Sequence, residues 1–81
     1  MHEFSVALEI CRMMEERLGP GESTYLRTVG VAVGDDAGVE PANLSFCLDA
    51  LLQQPPFGGA RAELIPCAGP DLRLDFYEVD E

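Results

Sequence analysis

Between Glu3 and Leu18 the apolar residues Phe4, Ala7, Leu8, Cys11, Met14 and Leu18 recur at three- and four-residue steps. Val6, Ile10 and Met13 widen that stripe, while Glu9, Arg12, Glu15 and Glu16 face the other way. This period predicts an amphipathic helix, and "GPG" at 19–21 stops it. The period then changes. "TYLRTVGVAVG" at 24–34 is rich in β-branched residues, with Val29, Val31 and Val33 alternating against small ones, and predicts a strand. "DDAG" turns the chain. In "VEPANLSFCLDALLQ" Pro41 suits the first turn of a second helix, whose buried stripe is Leu44, Cys47, Leu48 and Leu51. "QQPPFGG" at 53–59 breaks that helix and forms a loop. "ARAELI" predicts a short second strand and "LRLDFYEV" at 72–79 a third, with Leu72, Leu74 and Phe76 on one face. "PCAGPD" between them is read as a tight connection that makes the two strands a hairpin across 66–71.

The order is therefore helix, strand, helix, strand, strand. The expected fold class is α+β, a two-layer arrangement with both helices packed on one face of a three-stranded mixed sheet. The first strand, second helix and second strand form a crossover unit expected to be right-handed. Which strand is central is left open by the pattern. Residues 1–81 make one small domain, and a hydrophobic content of 47% is enough for a single core.

Composition narrows the function. A formal net charge of −10, from five basic and fifteen acidic residues, repels phosphate backbones and anionic lipid, so nucleic acid and membrane surfaces are not expected partners. No apolar run is long enough to span a bilayer, and no basic start leads into a hydrophobic stretch as in a signal peptide. A cytoplasmic location is the expectation. Cys11, Cys47 and Cys67 are widely spaced, with no C-x-x-C pair, so neither a thiolate zinc site nor a disulfide framework is indicated. Cys11 and Cys47 fall in helical stripes, where cysteine acts as a small hydrophobe. With one histidine and no lysine, the chain offers no constellation for catalysis, and Gly30 and Gly34 lie in or at the end of a strand rather than in a phosphate-binding loop. An enzyme is not expected.

The one histidine is His2, in the opening "MHEFS". With Met1 retained as the first residue, its α-amine, the His2 amide nitrogen and the His2 imidazole close adjacent five- and six-membered chelate rings. A metal that displaces an amide proton and takes planar nitrogen ligands is Ni(II) or Cu(II), whereas Zn(II) prefers a tetrahedral site. Glu3 supplies a fourth ligand through its amide nitrogen, or a carboxylate above the plane. The unpaired N–H groups and positive end of the first helix favour a deprotonated amide, and Glu3 offsets their opposition to a cation. Taken alone, the same residues also read as an ordinary chain terminus.

Beyond these residues, "MHEFSVALEIC" followed by "VGVAVGDDAGVEPANLSF" resembles the HypA/HybF family of nickel metallochaperones for [NiFe]-hydrogenase maturation. Gly38, Val39, Glu40 and Pro41 match that family's Gly-Val-Glu-Pro run, and "GARAELI" and "DLRLDFYEV" resemble its later strands. The resemblance implies Ni(II) as cargo at Met1, His2 and Glu3. It also implies an acidic residue, Glu40, near that site, although Glu40 equally suits the positive end of the second helix. The implied partners are a nickel-handling maturation GTPase and a hydrogenase large-subunit precursor. Two departures stand out. Asp35 replaces the family's Glu after the strand glycine, and "PCAGPD" stands where the family inserts a zinc module with two C-x-x-C pairs. No structural zinc is therefore expected. The alternative expectation is a metal-free interaction module, a divergent paralogue that docks on or modulates the maturation machinery.

Overall fold

The computed structural model describes residues 3–80. Helix α1 (Glu3–Ser23) buries Ala7, Ile10, Cys11 and Met14, the centre of the stripe seen in the sequence. It is broken at Gly19, whose φ of 75° and ψ of 169° are open to a residue without a Cβ, and Pro20 starts the short helical turn that follows. The Ser23 hydroxyl donates to the Gly19 carbonyl at 2.8 Å, which pairs a group left over by the break. A turn closed by Tyr25 N–H donating to Glu22 O then delays the strand by two residues relative to the sequence pattern, so β1 runs Leu26–Gly34.

Helix α2 (Pro41–Leu52) carries Leu44, Leu48 and Leu52 into the interior, each at most 1% exposed. A leucine hidden this fully contributes about 2 kcal/mol through its apolar area. Strands β2 (Arg61–Cys67) and β3 (Leu72–Val79) complete the sheet. β2 continues two residues beyond the expected "ARAELI", because Pro66 sits on an edge strand where its missing N–H breaks no ladder.

β1 is the central strand, and the order is β2-β1-β3. It pairs parallel with β2 from Thr28–Arg61 to Gly34–Cys67, and antiparallel with β3. Its position explains its composition. Val29, Val31 and Val33 join the core beneath the helices, and Thr28 and Ala32, small residues on the other face, are also buried. A strand covered on both sides reads as a nearly continuous apolar run.

Two expectations are corrected here. β2 and β3 are not a hairpin, since β1 lies between them. Their connection instead arches over the end of β1. Gly34 N–H donates to Asp71 O at 2.7 Å, Asp35 N–H to Cys67 O at 2.8 Å, and Asp36 N–H to Gly69 O at 2.9 Å. The Asp35 carboxylate completes the fastening by accepting from Gly69 N–H at 2.9 Å. Second, Phe76 does not share a face with Leu72 and Leu74. Val31 pairs with Leu74 but Gly30 pairs with Phe76, leaving Asp75 as an extra residue. This bulge reverses the alternation. Leu72 and Leu74 pack on the core, while the Phe76 ring lies over Gly30, where a Cβ would sit 2.1 Å from the ring.

Candidate metal centre

The turn at residues 35–39 delivers the chain to α2 through Gly38, whose φ of 78° belongs to the left-handed region. Glu40 is then held extended (φ −90°, ψ 113°) as the N-cap. Its carbonyl accepts the first helical bond from Leu44 N–H, and its side-chain Oε1 accepts from Asn43 N–H at 3.0 Å. Glu40 thus performs the helix-end role that the sequence allowed for it. Its own N–H points the other way and donates to Glu3 Oε2, also at 3.0 Å.

That bond is the central feature of the site. Glu3 opens α1 and Glu40 opens α2, so the beginnings of the two helices meet, and two carboxylates lie where two sets of unpaired N–H groups converge. The negative charges oppose the positive helix ends and leave a surface that tolerates a cation better than either bare helix end would. Of the four residues expected at the metal, Glu3 and Glu40 are therefore brought together. Met1 and His2 lie outside the described residues, with His2 bonded directly to Glu3. Contact between positions 37 residues apart was not readable from spacing; the clues were an acidic residue at each predicted helix start and the family resemblance, which placed Glu40 near the terminal site.

The remaining metal-binding residue types are dispersed. Cys11 is buried on α1, Cys47 is half-buried on α2, and Cys67 is half-buried at the end of β2. Among the described residues no three His, Cys, Asp or Glu side chains converge as a metal-binding group. Burial, with the Glu15 charge as the lesser cause, pushes the Cys11 thiol from 9.0 up to about 11. Below pH 9 both folded and unfolded thiols keep their proton. Between 9 and about 11 the unfolded chain releases it first, so the stability conferred by Cys11 falls as pH rises through that window. Thermal melts of Cys11→Ala should show a shallower alkaline decline than the parent, and an unchanged slope would refute the burial argument.

A family model described as "Hydrogenase/urease nickel incorporation, metallochaperone, hypA" matches residues 1–69. The chain belongs to the HypA family. It is 32% identical over 69 residues to the hydrogenase maturation factor HypA of Albidiferax ferrireducens, covering 85% of this chain and 61% of that protein. It is 37% identical over 78 residues to the HypA of Streptomyces avermitilis, covering 84% of this chain and 60% of the relative. The HypA of Paracoccus denitrificans aligns with the whole chain at 31% identity and is covered to 72%. The chain thus spans about three-fifths of the length of the first two relatives. The solution structure of the Ni metallochaperone HypA from Helicobacter pylori superposes with a TM-score of 0.76, covering 98% of this chain and 97% of that one. At 13% identity this likeness speaks to the fold alone. The family description is that of a metallochaperone, not an enzyme. No helix among the described residues is long and apolar enough to cross a membrane.

Proposed function

We propose that this chain is a nickel carrier of hydrogenase maturation. It holds Ni(II) through the Met1 amine, the His2 amide and imidazole nitrogens and Glu3, and passes the ion to a maturation partner. By family likeness the partner is a nickel-handling GTPase, and the final recipient is a hydrogenase large-subunit precursor. The observation that carries this reading is the Glu3–Glu40 hydrogen bond. It pins the residue next to His2 onto the capped start of α2, within a match that runs from residue 1. Nickel is cargo here, and transfer suits a site built on a chain end, because planar nitrogen ligands can be replaced one at a time. No structural zinc is part of this proposal, since the chain has no C-x-x-C pair.

Competition titration at neutral pH tests the proposal. The parent should bind one equivalent of Ni(II), and His2→Ala should remove that binding. Glu40→Gln keeps a side-chain acceptor for Asn43 N–H but loses the charge, so it should weaken nickel about two- to five-fold with little change in melting temperature. The second reading, a metal-free docking module, draws on the short arch at 67–71 and the length of the relatives. Identical isotherms for the parent and His2→Ala would favour it.

A further inference from the structure

The two edges of the sheet differ. On the β2 edge the Asp49 carboxylate of α2 accepts from Ala62 N–H at 3.1 Å, and Pro66 has no N–H to offer, so a further strand finds that edge obstructed. β3 pairs with β1 along one side, and among the described residues no strand lies along the other. It contains neither proline nor lysine, and its bulge at Asp75 leaves the stretch from Leu72 to Leu74 as the regular part of the edge. Beside it, between α1 and β3, runs an open hollow of about 600 Å³ whose walls are Val6, Ile10, Met13, Leu72 and Leu74. An available edge next to an apolar trough is the geometry by which a sheet captures an extended segment. The backbone supplies pairing, and alternate side chains fill the trough.

Charge selects the occupant. Asp75 and Glu78 lie on the strand itself, while Glu9, on the rim of the hollow, is ion-paired with Arg12. Arg73, the basic residue there, is 3.7 Å from the Asp71 carboxylate. The chain carries −10 overall, so a second copy pairing edge to edge would bring two strongly negative surfaces together. We propose that the open edge of β3 receives an extended cationic segment of a partner protein as a fourth strand, with its apolar residues in the trough beneath α1. Ser5 also lines this hollow, so the segment would lie alongside the start of α1. The docking itself does not depend on nickel, and its test is run without metal.

The probe is a short synthetic peptide alternating valine and lysine, added to the full chain and followed by amide hydrogen exchange and NMR shifts. Amides of residues 72–79 should exchange about ten-fold more slowly, with shifts at Val6 and Met13. A peptide with glutamate in place of lysine should bind about ten-fold more weakly. Met13→Asp puts a charge into the trough at a half-exposed position and should weaken the lysine peptide about ten-fold, whereas Phe46→Ala, on the exposed side of α2, should not change it. Protection at β2 or nowhere, equal binding of the acidic peptide, or concentration-dependent dimers that protect β3 without peptide would each overturn the proposal.

Discussion

Nickel binding is expected to collapse when a single residue precedes Met1. The extra peptide bond converts the metal-binding α-amine into an amide, and the adjacent chelate rings lose their anchor. His2, Glu3 and Glu40 remain, so the expected loss is on the order of 100-fold, about 3 kcal/mol, with disappearance of the planar nickel absorption band. The same protein should melt as the parent does, because α1 starts at Glu3 and its buried stripe begins at Ala7. Affinity in the parent should itself fall as pH drops below about 8, the reference value for an α-amine, and more steeply below about 6.5, that for imidazole, since both must shed protons to bind. An extended protein with an unaltered nickel isotherm would remove the terminal chelate from consideration.

Replacing Gly34 by alanine is expected to damage the fold more than alanine at any other glycine. A Cβ there would lie 2.1 Å from the Gly69 carbonyl oxygen and 2.8 Å from that of Asp71. Both atoms are backbone, held by the hydrogen bonds of Gly34 and Asp36, so neither can swing aside as a side chain would. The arch must lift and give up some of those bonds. A cost of about 3 kcal/mol is expected, which in a domain of this size lowers the melting temperature by ~15 °C. Gly21→Ala, with nothing within 4 Å of the new methyl group, is the control and should melt near the parent. Equal melting of the two variants would show that the arch is soft.

Most of the architecture was legible in the sequence because its elements are bounded by strong local signals. Gly19 and Pro20 end the first helix, Pro41 starts the second, and period-two alternation marks β3. What escaped depends on pairing between distant segments. The alternation of Leu72, Leu74 and Phe76 looked unbroken, yet whether Asp75 pairs or bulges depends on β1, whose Gly30 offers the space that the Phe76 ring takes. The supposed hairpin failed for a similar reason. A short Gly-Pro segment permits a tight turn, and only the two-sided burial of β1 shows that a strand must fit between its neighbours. That clue was present in the near absence of polar residues from "VGVAVG". At the candidate site the acidic helix starts were visible, but the bond joining Glu3 to Glu40 was not.

The arch is also a place at which this fold could accept additional chain. Its two ends are fastened to adjacent residues where β1 ends, Asp71 to Gly34, the last of the strand, and Cys67 to Asp35, the first of the turn that follows. The chain therefore leaves the sheet and returns to it at almost the same point, like the two contacts of a socket. Closing a longer excursion between such points costs only about 0.6 kcal/mol for each doubling of its length. Ancestral gain or loss of an entire module there would leave the strand register, the core and the paired helix starts as they are. Evolution could then lengthen or shorten the protein at that position without having to redesign the part that we propose carries nickel.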